Sequence, residues 1–279
     1  MSVETDFGTE RTLEPREFEW LRQYLFERTG IELKPGKEPM VMGRLDRRLR
    51  HHGMTTYRDY IQLLVSGDAA ENQMAVDLLT TNETYFFREP QHFDFLKKVF
   101  ETRKTPGQPI RIWSAASSSG EEAYTIAMVA DAALPGGQSW EIVGTDISTR
   151  VLETARRGMY PIEAAEKIPQ VYLRKYCLRG RDDYEGLLGV DGSLREHVTF
   201  RETNLTELPT DLGSFDTVFL RNVMIYFGVE TKQKLVRQIV GMLRPGGHLM
   251  VSHSETLNGM SEGLELVQPS IYRRHDADG

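Results

Sequence analysis

From about residue 107 onward, short runs of β-branched and aromatic residues alternate with segments of helical periodicity. The runs within 109–116, 140–148, 215–227 and 248–256 predict strands, and the segments between them predict helices. This alternation constrains the fold more than any other feature, because consecutive parallel strands require a right-handed crossover. The sequence therefore predicts an α/β domain with a parallel sheet and helices on both faces. Ligands of such sheets bind at the carboxyl ends of the strands.

One stretch, from about 171 to 200, breaks the alternation. It contains the polar, turn-rich sequence RGRDDYEGLLGVDG and only short apolar runs. We interpret it as a small β-hairpin module inserted into the α/β domain.

Residues 14–80 have helical periodicity and no convincing strand, which predicts a bundle of about four helices. The first helix is expected to end at Thr29-Gly30. A later helix should begin near residue 39, with proline in its first turn and Gly53 beyond its end.

The second of these helices has an uneven charge distribution. The chain carries a net charge of −7, yet residues 31–58 contain seven Lys and Arg against three Asp and Glu, which is +4 and leaves −11 elsewhere. Apolar residues occupy one side of the helix, and a basic face covers about 100° of the other. The residues of this basic face are Arg44, Arg47, Arg48 and His51. The face is either a solvated surface or a docking site for an acidic partner, and the acidic remainder of the chain favours docking.

Several classes of protein are disfavoured. The acidic total charge and the lack of a suitable partner helix argue against nucleic-acid binding. The first eighteen residues contain no apolar run, and no stretch approaches the length of a membrane span, so we expect a cytoplasmic protein with no membrane insertion. The single cysteine, Cys177, excludes an internal disulfide and a multi-thiolate metal site, and we expect no metal.

Three predicted strand ends carry polar residues. The first strand leads through WSAASSSGEE, whose small residues allow a ligand to approach the backbone. Glu121 and Glu122 follow at a helix start, where they would repel a pyrophosphate but suit a cationic ligand. Asp146 ends the second strand, where it could bind ribose hydroxyls or cap the helix beside Ser148. Arg221 and its neighbour Asn222 follow a third strand, where they could line a cleft or cap the next helix.

An adenosine-bearing ligand that has a positive centre and no phosphates is S-adenosylmethionine (SAM). The segment LRPGGHLMVS near the C-terminus is similar to the corresponding segment of Rossmann-like methyltransferases. Together these features favour a SAM-dependent methyltransferase.

Six motifs, TNETYFFRE, WSAASSSGEEAY, GTDIS, NLTELP, FLRNVMIYF and SHSET, give the chain a more specific resemblance. Their order and approximate spacing, between about residues 14 and 272, resemble those of the CheR family, the bacterial chemotaxis receptor protein-glutamate O-methyltransferases. The resemblance implies a receptor-docking helical domain at 1–80 and a linker or lid with a lead-in helix at 81–106. It implies a Rossmann-like class I SAM-binding domain at 107–279 with an inserted antiparallel β-subdomain at about 171–200.

The resemblance also implies roles for individual residues. Arg88 and Tyr226 match positions at the methyl-transfer site. The positions that match cofactor contacts are Asn82, Thr84, Arg88, Glu121, Asp146, Asn204, Leu205, Arg221 and Asn222. Phe86 and Phe87 are expected to pack the two domains together and keep water out. The expected product of the cofactor is S-adenosylhomocysteine.

The implied partner is the chemoreceptor cytoplasmic coiled coil, which would dock on the basic face. Some members also bind the receptor's C-terminal pentapeptide through the β-subdomain. Here Gly180 and Gly186 are kept, but Asp182 stands where members that bind the pentapeptide usually have a further glycine. We expect a monomer. The alternatives are a non-catalytic SAM-binding regulator or adaptor, and an enzyme of the same fold acting on a small molecule or another protein.

Overall fold

The computed structural model describes residues 11–102, 108–134 and 136–276. The chain divides into two compact units, Met1–Thr81 and Asn82–Gly279. Within the described residues, no helix combines the length and the apolar character needed to cross a bilayer.

The first unit is helical, as the periodicity of residues 14–80 predicts. Its helices within residues 11–81 are α1 (Pro15–Thr29), α2 (Glu38–His51), α3 (Tyr57–Val65) and α4 (Ala69–Leu79). The Glu14 amide, just before α1, donates to Glu17 Oε2 at 2.9 Å. The helix ends at the predicted residue, because Gly30 adopts a left-handed φ of 73°.

A buried carboxylate connects three helices of the first unit. The Glu71 side chain on α4 is 4% exposed and forms an ion pair with Arg48 of α2. Tyr60 of α3 donates to Glu71 Oε1 at 2.6 Å, and His52 Nε2 lies 2.9 Å from Oε2. Burial alone would raise the pKa of Glu71, but the hydrogen bonds from Arg48, Tyr60 and His52 outweigh it and lower this pKa to about 2.

Replacing Glu71 with glutamine is expected to lower the free energy of unfolding by about 3 kcal/mol at pH 7, because Arg48 would lose its buried partner. The folded-state pKa is lowered, so this contribution is present above the unfolded value near 4.5 and is lost as the pH falls toward 2. Urea unfolding of the full chain should therefore show a smaller difference between wild type and variant at pH 3 than at pH 7. The control is Glu19→Gln, at an exposed partner of Arg22. An undiminished difference at pH 3 would contradict the assignment.

The second unit begins with α5 (Gln91–Thr102) and then alternates strands and helices. Up to the end of the second crossover, its elements are β1 (Ile110–Ala115), α6 (Glu121–Ala133), β2 (Trp140–Asp146) and α7 (Thr149–Arg157). The middle elements are β3 (Met159–Pro161), α8 (Gln170–Tyr176), β4 (Cys177–Arg179), β5 (Leu187–Val190), α9 (Gly192–Arg195) and β6 (Val198–Glu202). The last elements are β7 (Phe215–Leu220), α10 (Val229–Met242), β8 (Leu243–Val251), β9 (Leu264–Gln268) and β10 (Ile271–Arg274).

The main sheet has seven strands in the order β6-β2-β1-β7-β8-β10-β9. The first five are parallel, which confirms the predicted parallel sheet, and β10 pairs antiparallel with both β8 and β9. Ile112, Phe219 and Met250 belong to one hydrophobic core together with residues of α5 and α6. Their neighbours Trp113 and Leu249 are also buried, so both faces of the sheet are covered.

The inserted module is a three-stranded antiparallel sheet in the order β3-β5-β4. The predicted small antiparallel sheet is therefore confirmed, but its predicted bounds of about 171–200 are wrong. The module begins at Met159, because β3 pairs with β5, and the end of the predicted range already belongs to β6 of the main sheet. In β6 only Val198 and Phe200 are apolar, so the sequence pattern does not distinguish this strand from the polar stretch before it.

Candidate active site

The carboxyl ends of the central strands lie at one level. Ala115 pairs in register with both Thr145 and Leu220, and Leu220 pairs with Val251. The order of strands reverses direction about β1, which is where parallel sheets of this kind bind ligands. The residues that follow these strands therefore form one edge, as the sequence predicts.

The loop after β1 turns sharply into α6. Ala116, Ser118 and Gly120 have left-handed φ values of 62°, 49° and 96°. A Cβ at Gly120 would lie 2.9 Å from the Ala155 Cβ on α7, so the close approach of α7 also requires glycine. The small residues that the sequence displays here thus serve both the turn and the packing of the helix behind it.

Asp146 holds two loops together at the end of β2. Its Oδ2 accepts from the Ser118 amide and its Oδ1 from the Ser148 amide, each at 2.9 Å. The Thr203 amide after β6 donates to the Asp146 carbonyl at 2.9 Å. Asp146 is only 6% exposed, so these bonds fix the carboxylate at the strand edge. Asp146 thus bonds the amide of Ser148, the residue before α7, and ribose binding stays a prediction.

Residues 82–89, which we call the linker segment, cross this edge. The Ser118 hydroxyl, after β1, donates to the Asn82 carbonyl at 2.8 Å. The Phe87 amide donates to Thr125 Oγ1 of α6 at 3.2 Å. Both bonds lie within the second unit and attach the two ends of the linker segment to the β1 side of the edge.

Further bonds attach the linker segment to the ends of β7 and β8. Arg221, after β7, donates to the Arg88 carbonyl and lies 3.2 Å from Glu89 Oε2. The His253 amide, after β8, donates to the same Glu89 oxygen at 3.3 Å. The linker segment is therefore bonded to the ends of three strands.

Arg221 is the centre of a buried ion-pair cluster. Its side chain is 1% exposed, pairs with Glu89 and with Glu122 at 2.9 Å, and lies 5.6 Å from the centre of the Phe93 ring. Burial raises the pKa of Glu122, while Arg221 acts in the opposite direction. The guanidinium of this predicted cofactor residue is thus engaged with protein groups.

Arg88 has a different environment from Arg221. Its Nη1 donates to the Glu83 carbonyl at 2.8 Å, and its guanidinium lies 5.5 Å from the centre of the Tyr85 ring. The side chain is half-buried, as is that of Thr84. The predicted catalytic role of Arg88 stays a prediction.

The two phenylalanines of the linker segment pack inside the second unit. Phe86 is 1% exposed and makes an edge contact with Tyr160 at 5.0 Å between ring centres. Phe87 contacts Phe93 and Tyr172. The contacts described here are core contacts of the second unit, and the predicted role of packing the two domains together stays a prediction.

The remaining predicted cofactor residues lie at the same edge or beside it. Glu121 begins α6, and burial raises its pKa while a hydrogen bond from the Ser119 hydroxyl opposes that shift. After β6, Asn204 Oδ1 accepts from the Thr206 amide at 3.0 Å, and Leu205 is buried. Asn222, after β7, has a left-handed φ of 57°. The predicted contacts of these residues with a ligand stay predictions.

Three acidic residues outside the predicted cofactor contacts organise this edge, and of these the sequence analysis singled out only Glu122. Glu89 and Glu122 bind Arg221, and Glu255 accepts from the Asn222 amide at 2.9 Å. Arg221 lies 99 residues from Glu122 along the chain, and Asn222 lies 33 residues from Glu255, so no local pattern identifies these pairs. The signal in the sequence is that the three acids lie inside the motifs TNETYFFRE, WSAASSSGEEAY and SHSET.

Glu89, His92 and His253 form a group with potential metal ligands within 4.8 Å of one another. Burial lowers the pKa of His92 to about 3, and its Nε2 lies 2.7 Å from Ser270 Oγ. However, Arg221 lies 3.2 Å from the Glu89 oxygen, so a divalent cation there would meet a fixed positive charge. Arg221 therefore disfavours a metal ion at this group, and the expected lack of a metal stays a prediction.

The predicted docking residues in the first unit fall into two pairs. Arg44 donates to the carbonyls of Leu79 and Thr80 at the end of α4, and Arg48 binds Glu71. Arg47 and His51 are exposed. Half of the predicted basic face is thus engaged within the unit.

The loop between β4 and β5 depends on its glycines. A Cβ at Gly180 would lie 1.9 Å from the Tyr184 carbonyl oxygen, and Gly186 has a φ of 79°. Asp182 adopts a left-handed φ of 52°, in which glycine is more favourable. Asp182 therefore keeps the left-handed backbone conformation that a glycine at this position would adopt more easily.

The switch point of a parallel sheet, the tight loop after β1 and the acidic residue at the end of β2 define the class of this protein. The carboxylates of Glu121 and Asp146 fit a ligand with a positive centre and hydroxyl groups, and the fold is that of a Rossmann-like SAM-dependent methyltransferase. Two family models match the chain: "CheR methyltransferase, SAM binding domain" over residues 82–272 and "CheR methyltransferase, all-alpha domain" over residues 16–80. The chain belongs to the CheR methyltransferase family, and SAM is its cofactor.

Individual relatives agree with this assignment. The chain is 40% identical over 268 residues to the "Chemotaxis protein methyltransferase" of Escherichia coli, covering 95% of this chain and 93% of the relative. It is 38% identical over 269 residues to "Chemotaxis protein methyltransferase 2" of Pseudomonas aeruginosa, covering 95% and 96%. A solved glycopeptide N-methyltransferase, MtfA complexed with sinefungin, is 16% identical, with a TM-score of 0.39 over 70% of this chain and 60% of that one. An identity and a TM-score this low support no conclusion about the function of the chain.

Proposed function

We propose that this protein transfers the methyl group of SAM to glutamate side-chain carboxylates of chemoreceptors, giving glutamate methyl esters and S-adenosylhomocysteine. The observation that carries the proposal is the linker segment, which contains Arg88 and is bonded through Asn82, Arg88 and Glu89 to the ends of three strands of a SAM-binding sheet. The family membership and the names of the relatives support the same reaction.

The reaction requires little acid–base chemistry from the protein. A glutamate side chain has an unperturbed pKa of about 4.3, so it is ionised at neutral pH and needs no general base. A carboxylate oxygen forms a bond to the methyl carbon as the bond from that carbon to sulfur breaks. SAM supplies the methyl group in activated form. The protein therefore has to align the reactants and exclude water.

We assign two side chains to the reacting carboxylate. Arg88 orients it, and the Tyr226 side chain lies beside the methyl-transfer site. The Tyr226 hydroxyl makes no hydrogen bond with any residue that the structure describes, so it is available to a ligand. Arg88 must not bind the carboxylate too tightly, since that would stabilise the ground state.

A direct assay tests the function. The full chain is incubated with SAM carrying a tritiated methyl group and with chemoreceptor cytoplasmic fragments, with and without their C-terminal tails. We expect base-labile methyl esters on receptor glutamates. SAM binding without transfer to any fragment would instead favour a regulator or adaptor, and transfer only to small molecules would favour a different methyltransferase. Sedimentation of the same sample tests the expected monomer.

We propose that the receptor helices dock on the exposed part of the basic face in the first unit. Arg47 and His51 are exposed there, and the neighbouring Arg50 side chain is 66% exposed while pairing with Asp46. These side chains complement an acidic helix. This docking places the reaction in the cytoplasm, where the receptor coiled coil lies.

Introducing negative charge at two positions, Arg47→Glu with His51→Glu, is expected to raise KM for the receptor fragment about tenfold. Exposed charges act mainly on association and are screened by salt, so the effect should shrink at high ionic strength. The cofactor affinity and kcat should not change. The control is Arg16→Glu, at an exposed position of α1. An equal loss of cofactor affinity would exclude a docking role.

We also propose that the β-subdomain binds the receptor's C-terminal pentapeptide at the free edge of β4. This strand is at the edge of the small sheet, and its Leu178 side chain is 59% exposed. An extended peptide can add a strand to such an edge. The left-handed φ of Asp182 supports this proposal. The loop has the backbone conformation that glycine favours, although aspartate stands at the position where members that bind the pentapeptide usually have glycine.

A further inference from the structure

The Glu255 side chain connects the ends of β7 and β8. Its Oε2 accepts from the Asn222 amide at 2.9 Å and from the Ser252 amide at 3.0 Å. Its Oε1 accepts from the Ile225 amide at 3.3 Å. One carboxylate therefore accepts three backbone hydrogen bonds from two different loops, although none of the sequence motifs assigned it a role.

The segment that Glu255 holds contains two predicted site residues. Asn222 has a left-handed φ of 57°, a conformation that is unfavourable for residues other than glycine unless the surroundings stabilise it. A short 3-10 helix, Met224–Tyr226, follows directly. The bonds from Glu255 reach the first residue of this turn and the middle of the short helix, so they fix the backbone on both sides of Val223.

The other backbone hydrogen bonds that the structure describes for residues 222–226 are local. The Tyr226 amide donates to the Val223 carbonyl at 3.1 Å, which is a bond within the segment itself. The Ile225 side chain is 43% exposed, whereas the Met224 side chain is 2% exposed and packs in the interior. Charge-assisted hydrogen bonds are stronger than neutral ones. The carboxylate of Glu255 therefore adds strong polar bonds between this segment and the neighbouring strand end to the apolar packing of Met224.

We propose that Glu255 is a positioning residue for methyl transfer, which holds residues 222–226 in the conformation that Asn222 and Tyr226 need in the reaction. This inference rests on the proposed function. Glu255 itself acts only through the backbone amides, so its removal should impair the reaction without removing any group that contacts a reactant.

Two substitutions separate this role from a general effect on folding. Glu255→Ala removes all three bonds, whereas Glu255→Gln keeps one amide oxygen that can still accept from Asn222 and Ser252. We expect kcat for the receptor fragment to fall about 50-fold in Glu255→Ala and less than about fivefold in Glu255→Gln. The control is Glu265→Gln on β9, where the glutamate pairs with Arg273 at the surface.

Hydrogen exchange provides a second measurement that does not depend on catalysis. Amides of 222–226 should exchange at least about tenfold faster in Glu255→Ala than in wild type, while those of α10 should be unchanged. An unchanged kcat in folded Glu255→Ala, equal losses in both variants, or unchanged exchange would each overturn the proposal. If the wild-type protein transfers no methyl group, the proposed function fails, and faster exchange in Glu255→Ala would then show that Glu255 still holds the segment.

Discussion

Replacing Arg221 with methionine is expected to lower the free energy of unfolding by about 3–5 kcal/mol. The substitution would leave the carboxylates of Glu89 and Glu122 without their common partner in a site where Arg221 is 1% exposed. Methionine fills a similar volume, so the loss would come from the uncompensated charges rather than from a cavity. Urea unfolding of the full chain, followed by circular dichroism, measures this loss.

Two further variants show whether charge is the cause. Adding Glu122→Gln to Arg221→Met should restore part of the stability, because one of the unpaired charges is removed. Arg221→Lys should be intermediate, since a single ammonium group cannot bind both carboxylates and the Arg88 carbonyl. The control is Arg244→Met, at an arginine that pairs with Asp216 but is 27% exposed. If the double variant were no more stable than Arg221→Met, the ion pairs could not explain the loss.

Replacing Asp146 with alanine is expected to weaken the binding of S-adenosylhomocysteine at least about 100-fold. The buried amides of Ser118 and Ser148 would lose their acceptor, and each unsatisfied group costs about 1–3 kcal/mol. The loop after β1 would then no longer be held in its left-handed conformation. Hydrogen bonds that the Asp146 carboxylate accepts from the ribose hydroxyls would be lost as well. Isothermal titration calorimetry of the folded variant measures the affinity.

An asparagine at the same position is a matched comparison. Asp146→Asn keeps one carbonyl oxygen as an acceptor, but its amide group faces the other backbone N–H, so the affinity should lie between those of wild type and Asp146→Ala. Asp131→Ala is the control, because this aspartate binds Lys175 and Tyr176 near the surface, away from the strand edge. Wild-type affinity in folded Asp146→Ala would refute the role assigned to this carboxylate.

The sequence predicts the parallel core and its polar edge because both depend on local patterns. Apolar runs of strand length, small residues after β1 and an acid after β2 are visible within a few residues of each other. The same reasoning misses the antiparallel hairpin β9–β10. In β9 all residues after Leu264 are exposed, so the strand has no clear inward-facing pattern.

The interactions that shape the site could not be predicted in this way. Arg221 follows a strand in sequence, but its partners Glu89 and Glu122 come from the linker segment and from α6. On the basic face, helical periodicity places Arg44 and Arg48 on one side, yet it cannot show that α4 provides acceptors for both. Pairing between distant segments depends on the folded chain and leaves no periodic signal.

The bonds of the linker segment determine where the chain can be shortened. An expression fragment of the second unit that began at α5 would lack the Asn82 and Arg88 carbonyls and the Glu89 carboxylate. The Ser118 hydroxyl, the Arg221 guanidinium and the His253 amide would then each lose a partner at the edge of the sheet. A fragment that starts at or before Asn82 would keep these bonds and is the appropriate minimal unit for cofactor-binding studies.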